Sequence, residues 1–580
     1  MRHQRMAAVL GALALGATGL TATATATAAP TAEAGSTVSA TGAETSYVVL
    51  ADRGGSVTAL AKRLEAKGAK VVSVNDKVGM VTVTSTDTAF AAKTRAMKGV
   101  FGAAEEGIVG RSPQERAKKQ QLKRPRAQAK GKVAAAGQGK GKGKGKGADP
   151  LDDKLWGLDM INASAAHKVE SGDKRVKVGV IDTGVDASHP DIAPNFDHKL
   201  SRNFTTDIPD IDGPCEVESC VDPADVDNGG HGTHVAGTIA AARNGIGVSG
   251  VAPDVSIVNV RAGQDAGYFF VGPTVNALTY SADAGLDVVN MSFYVDPWAY
   301  YCEGGAPEDS PEEAAEQDMI IESMSRALNY AHSKDVTMVG ALGNAATDLA
   351  NPGTDSESPN YPEGNAHDRT IDNSSCKDLP VEGPHVIGVS AVGPTERKSY
   401  FSNYTTDLTS DEIEISAPGG DSRDNYGTPD YRSPSNLILS SVPENVVKAE
   451  GSVDEDGNIT EAEGYVFKDC GRVKGKEQCG YYEYYQGTSM ASPHAAGVAS
   501  LIVSRYGKTA GRAGFGLASE TTREVLLGTA RNKACPEPRT VVYPELPAAY
   551  TATCVGDEDF NGFYGEGIID AQAAVAKKKL

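Results

Sequence analysis

Past its first 29 residues, this 580-residue chain has no apolar run approaching the ~18 residues a membrane-spanning helix needs, so no transmembrane segment is expected. None of its eight cysteines stands in C-x-x-C spacing, and the loops between them lack suitable histidines, which argues against zinc. His231 and His234 fall three apart, but the third ligand and the Glu of an HExxH site are missing, so the spacing is weak support for a metallopeptidase and no metal is assigned. Residues 46–109 hold neither histidine nor cysteine and offer no catalytic constellation. Basic residues are scarce beyond residue 147. Residues 1–147 carry 24 Lys and Arg against 9 Asp and Glu, which leaves 32 and 67 of the totals of 56 and 76 for the remainder. The two parts should attract each other.

The charge excess peaks in residues 111–147, with thirteen basic residues and a Gly/Lys alternation at its end. Such a tract cannot bury a core and reads as a linker, residues 111–150. No aromatic ring is interleaved in it, so nucleic acid is not expected as a partner. Residues 1–29 combine a basic start, a short apolar run and small residues before Pro30, the pattern of a secretory signal peptide. The mature chain is therefore expected outside the cell, with no membrane anchor. The even cysteine count fits that compartment, and spacing pairs Cys215 with Cys220, Cys470 with Cys479 and Cys535 with Cys554, leaving Cys302 for Cys376.

Between leader and linker, residues 46–109 read as β-α-β-β-α-β, a ferredoxin-like α+β unit, with strands at 46–51, 70–75, 79–85 and 100–109 and helices at 57–68 and 86–99. From Leu151 onward the pattern becomes α/β. The run VKVGVID is continuously apolar, as in a parallel strand buried on both faces, and delivers Asp182 at its carboxyl end. GGHGTHVAGTIAAA opens a small-residue helix with His231 at its start, where one histidine can act as a base and the other pack. Further strands at 255–262, 287–293 and 335–344 flank a helix at 275–285, and the last strand ends on Asn344, whose amide could serve an oxyanion. In GTSMASPHAAGVASL, Gly487 and Thr488 form a turn before a helix at 491–503 with Pro493 in its first turn. Ser489 there meets free backbone N–H groups and the helix dipole, a setting for a nucleophile, or else it is an ordinary cap.

VIDTGVDASHPD, HGTHVAGTIA, GALGN, ISAPGG and GTSMASPHAAGVASL stand in one order, and in these motifs the chain resembles the subtilisin-like serine protease family. The resemblance covers most of residues 151–580 and implies a three-layer α/β peptidase domain with a mostly parallel central sheet. It assigns Ser489 as nucleophile, His231 as general base, Asp182 as its orienting partner and Asn344 as oxyanion donor. It also implies that residues 30–110 are an inhibitory prodomain, that the product is a zymogen acting on proteins or peptides, and that catalysis needs no cofactor. Structural calcium is implied only by family habit and is not placed, and a monomer is expected. A catalytically dead relative and an enzyme that processes only its own prodomain or one dedicated peptide are the alternatives.

Where the family commonly has Ser-Leu-Gly-Gly along the substrate strand, this chain has Ser292-Phe293-Tyr294-Val295, so Ser292, Phe293 and Tyr294 are expected to line the substrate site with a bulkier wall. Trp298 to Cys302 then form either an aromatic rim or a disulfide-pinned loop, ahead of the acidic run from Glu303 to Glu316. DEDGNITEAE at 454–463 places its glycine too early for an EF-hand and reads as an acidic hairpin. The linker suggests a first cut near Gly110 or among its lysines, then trimming toward residues 148–151.

Overall fold

The computed structural model describes residues 44–106, 148–355, 367–410, 412–473, 475–509 and 514–579. Residues 1–43 and the basic tract lie outside the described residues, as do positions 107–109 of the last strand expected in the small α+β unit.

Strand β1 (Thr45–Ala51), helix α1 (Val57–Glu65), strands β2 (Lys70–Asn75) and β3 (Met80–Ser85), helix α2 (Phe90–Arg95) and strand β4 (Val100–Glu105) build an antiparallel sheet in the order β2-β3-β1-β4. Ser56 caps α1 by accepting from the Ala59 N–H at 3.2 Å. Helix α2 is much shorter than its sequence suggests, because the Asp87 carboxylate accepts from the Ala89 N–H and holds a turn where helix is expected. The period of two along β1 sorts its side chains between two cores. Val49 packs with Leu60, Leu64 and Phe90 of the unit's own helices. Val48 and Leu50, with Met80 and Ala104, pack instead into the core of the larger domain.

That domain is built on β5 (Lys177–Ile181), β6 (Arg202–Asn203), β7 (Ser256–Arg261), β8 (Val288–Met291), β9 (Thr337–Ala341), β10 (Val386–Val392) and β11 (Ile415–Pro418). The order is β11-β10-β9-β8-β5-β7-β6, and every pairing is parallel. Helices α3 (His231–Ala240) and α6 (Thr488–Tyr506) cover one face, where Val235, Ile239, Ala495 and Leu501 meet Val178, Val180 and Val339. Helices α4 (Val271–Asp283) and α5 (Pro311–His332) cover the other, with Val275, Leu278, Met319 and Met324 against Val289 and Met338. Covering both faces is what the continuous apolar strands require.

Helix α5 has a full capping box between Ser310 and Glu313 and Pro311 in its first turn, so the acidic run of the sequence is a helix start rather than an open loop. Strands β12 (Ile438–Val442), β13 (Val466–Val473) and β14 (Lys476–Tyr485) form a separate antiparallel sheet in the order β12-β14-β13. The segment at 454–463 begins with a tight turn in which Gly457 N–H bonds the Asp454 carbonyl. Disulfides join Cys215 to Cys220, Cys302 to Cys376, Cys470 to Cys479 and Cys535 to Cys554, the partition that spacing suggests. Trp298, Tyr300 and Tyr301 are buried beside the second of these, so this stretch is an inner wall, not an exposed aromatic rim.

The α6 start corrects the sequence expectation. Thr488 is already helical, which puts Pro493 in the second turn, where its missing N–H would strand the Ser489 carbonyl. The Ser292 hydroxyl donates to that carbonyl at 3.0 Å and takes the place of the lost helical bond. The helix survives its proline through a residue nearly two hundred positions away.

Candidate active site

Strands β5, β8 and β9 are adjacent, and their carboxyl ends deliver Asp182, Ser292 and, three residues on, Asn344 to one edge of the sheet. Asp182 is fully buried, and its Oδ1 accepts from the Thr183 N–H and from His231 Nδ1, each at 2.8 Å. That bond fixes the imidazole with its Nε2 free to accept a proton. Gly232 permits the approach, since a Cβ there would lie 2.1 Å from the Gly184 carbonyl oxygen and 2.9 Å from Asp182 Cβ.

Burial lowers the pKa of His231, but Asp182 through charge and hydrogen bond, helped by Asp227, carries it above the ordinary histidine value. His234 is the packing histidine. Its Nε2 lies 3.1 and 3.0 Å from the carbonyls of Ile438 and Glu483, its ring stacks on Tyr485, and burial pushes its pKa down to about 3.

Every residue of α6 is buried except Ser489 and Arg505. Ser489 therefore stands at the one open point of the helix start, where the dipole favours negative charge. Its Oγ donates to the Ser292 carbonyl at 3.2 Å. Asn344 is exposed, and its Oδ1 accepts from both the Thr488 N–H at 2.8 Å and the Thr488 hydroxyl at 3.0 Å. With the oxygen so engaged, the Nδ2 end is left to donate outward.

The three residues expected to line the substrate do not behave alike. Ser292 turns its hydroxyl inward, to Ser492, Asn290 and the Ser489 carbonyl, and offers only backbone to the cleft. Phe293 is buried and stacked on Phe269 with ring centroids 4.1 Å apart. Tyr294 alone keeps a partly exposed side chain.

Two contributors escape a reading of the motifs. Asp227 accepts from the N–H groups of Gly230 and Thr233 and from the Thr183 and Thr233 hydroxyls, tying the α3 start to the end of β5. An acid four residues before a helix-opening histidine is the signal that could have found it. Thr488 is the other, and only its place beside Ser489 hints at its hold on Asn344.

No calcium site is assigned. Among the described residues, three groups could offer metal ligands: Asp207, Glu216, Asp222 and Asp265; Asp309, Glu313 and His367; and His332, His385 and Glu520. In the first, Arg261 already bonds one oxygen each of Asp222, Asp207 and Asp265, and in the second Arg369 bonds both oxygens of Asp309. Arginine is the cation at both centres.

A parallel sheet with these side chains at its carboxyl edge and a buried helix leading away from the serine is the arrangement of the subtilisin-like α/β class. A family model described as the Subtilase family, Peptidase_S8, matches residues 173–567, and the chain belongs to that family of serine proteases. It is 28% identical to fervidolysin of Fervidobacterium pennivorans over 378 residues, 62% of this chain and 39% of that protein. It is 28% identical to a thermophilic serine proteinase of Bacillus sp. strain AK1 over 341 residues, 59% of this chain and 55% of that one. It thus spans about half or less of the length of these two relatives. Subtilisin DY of Bacillus licheniformis is 26% identical over 72% of this chain and 97% of its own length. Among solved structures, the epidermin leader peptide processing serine protease of Staphylococcus aureus superposes with a TM-score of 0.58 at 18% identity, covering 92% of this chain and 98% of that one. That likeness concerns the fold. Among the described residues, no helix is long and apolar enough to cross a membrane.

Proposed function

We propose that this chain is a secreted serine endopeptidase made as a zymogen, hydrolysing peptide bonds through an acyl-enzyme on Ser489. The observation that carries the reading is the His231–Asp182 bond of 2.8 Å, set at the sheet edge where Ser489 opens an otherwise buried helix. His231 Nε2 takes the Ser489 proton as Oγ attacks the peptide carbonyl, then gives it to the leaving amine. Asp182 holds the tautomer and stabilises the imidazolium. Asn344 Nδ2 and the Ser489 N–H receive the developing oxyanion, and water then releases the acyl group by the same route in reverse.

Residues 30–110 act as the prodomain. The support is its docking on the two outer helices: Arg326 of α5 donates to the carbonyls of Ala51 and Val78 at 2.9 and 2.8 Å, and Glu106 accepts from the Gly272 N–H in the first turn of α4 at 2.6 Å. The cleavable basic tract that follows then allows release, and export through the 1–29 leader fits the four disulfides. Casein hydrolysis by the purified secreted protein, absent from Ser489→Ala, tests the reading, together with N-terminal sequencing. Equal hydrolysis by both proteins would refute the assignment, and a mature start still at Pro30 would sink the zymogen.

A further inference from the structure

At the amino edge of the parallel sheet, opposite the edge that carries Asp182 and Asn344, three segments remote in sequence bring nitrogen and oxygen donors together. His332 is the last residue of α5, His385 stands immediately before β10, and Glu520 lies in the first turn of α7 (Ser519–Gly528). One donor atom from each of the three lies within 4.8 Å of the other two. His332 is half-buried, while His385 and Glu520 are exposed, so an ion can reach them from solvent. A histidine in the last turn of α5 suits the negative end of that helix, and a glutamate in the first turn of α7 suits the positive end of its own. Neither effect accounts for the second imidazole.

The His385 ring lies flat on the His332 ring, with centroids 3.7 Å apart and planes 3° apart. Two imidazolium rings so placed would repel each other. Burial, then His332, hold His385 below the ordinary histidine value, against Glu520 and with help from Arg523, so at neutral pH it keeps a nitrogen lone pair. Outer neighbours decide which nitrogen that is. Asn329 Nδ2 donates to the Ser325 carbonyl at 2.7 Å, which turns its Oδ1 toward His385 Nε2 at 3.3 Å. An acceptor there keeps the proton on Nε2 and leaves Nδ1 bare. On His332 the Ser519 hydroxyl faces Nδ1 at 3.4 Å, and Nε2 lies 3.6 Å from Glu520 Oε1. That separation is too long for a hydrogen bond. It matches two donors on one tetrahedral zinc ion, whose bonds of about 2.0–2.1 Å set neighbouring donors about 3.4 Å apart. An imidazole whose second nitrogen is held by an outer oxygen is the common form of a histidine metal ligand.

We infer that His332, His385 and Glu520 bind one zinc ion, with water completing the coordination, and that the ion ties the end of α5 to the starts of β10 and α7. Imidazole nitrogens with a single carboxylate favour zinc over calcium or magnesium, which take oxygen ligands. To close on the ion each ring turns about its Cβ–Cγ bond until its lone pair faces the metal, and the exposed side of His385 leaves room for that turn. The ion braces the fold and takes no part in chemistry at Ser489.

The test uses the full-length Ser489→Ala protein, purified without a polyhistidine tag and stripped with EDTA, so that self-digestion does not enter. Calorimetry with ZnCl2 near neutral pH should show one equivalent bound, and CoCl2 should give the visible absorption of tetrahedral Co2+, which CaCl2 should not displace. His332→Ala and His385→Asn should each weaken zinc binding by at least about 10- to 100-fold. Asparagine is chosen because it tolerates the φ of +66 at that position. Glu520→Gln changes only an exposed side chain, so it keeps the fold and should weaken zinc binding too. Zinc should raise the melting midpoint of the parent and leave that of His332→Ala unmoved. No bound zinc, zinc binding undiminished in all three variants, or zinc binding lost only in His231→Ala would overturn the inference.

Discussion

Docking of the small α+β unit on the larger domain should weaken as pH rises, because burial at their contact raises the carboxyls of Glu106 and Glu316. Burial lifts Glu106 from its ordinary 4.5 to about 7, against the lowering effect of its bond from Gly272. Glu316 on α5 is also lifted to about 7, first by burial, with Glu313 and Glu105 adding to it and Arg95 opposing it. Both should return toward 4.5 when the small sheet lifts away, so docking takes up protons. A carboxyl raised in the docked state lends its support fully below pH 4.5 and loses it as pH rises through about 7. The rise from 4.5 to about 7 for Glu106 converts at ~1.4 kcal/mol per unit to ~3 kcal/mol, and its partial opening to solvent reduces this to ~2 kcal/mol, or about 30-fold. Amide exchange in β1 and β4 of full-length Ser489→Ala, which keeps its prodomain attached, measures the opening. After correction for intrinsic rates, opening should be at least about 30-fold more frequent at pH 8 than at pH 5. Glu106→Gln should flatten part of that dependence. Equal opening at the two pH values would refute the reasoning.

Asn344→Ala should lower kcat about 100- to 1,000-fold with little change in KM, since its amide donates to charge that exists only in the transition state. The pKa of His231 is raised, so kcat/KM should fall as pH drops through a value above the usual 6.5, and Asp182→Asn should remove about 10⁴-fold in kcat. An acid limb below 6.5 would contradict the Asp182 contribution. Ser292→Ala strands the Ser489 carbonyl opposite Pro493 and should destabilise the fold by about 1–3 kcal/mol in denaturant melts, with a loss of activity that Ser292→Thr partly restores. Melts within experimental scatter of wild type would show that the serine is not compensating for the proline.

The strands that carry the site were legible because β5, β7, β8 and β9 are buried on both faces and so read as unbroken apolar runs. The motifs around Asp182, His231, Asn344 and Ser489 were legible because their chemistry needs local small residues and helix starts. Helix α5 went unread beneath its acidic surface, although Ser310, Pro311 and Glu313 wrote its start plainly. Ser292 reads as a substrate-site residue, and the bond from its hydroxyl to the Ser489 carbonyl is invisible in the sequence. Nothing local to Ser292 announces a proline at 493, so that partnership exists only once the chain has folded. Phe293 reads as part of a bulkier substrate wall, and its stacking on Phe269 is not legible because that partner belongs to another segment.

Covalent labelling distinguishes Ser489 as the nucleophile from every other serine in the chain. The secreted protein would be treated with a fluorophosphonate that phosphonylates activated serines, and the modified peptide identified by mass spectrometry. One adduct is expected, on Ser489, blocked in Ser489→Ala and strongly slowed in His231→Ala. An adduct on another serine, or undiminished labelling of Ser489→Ala, would contradict it.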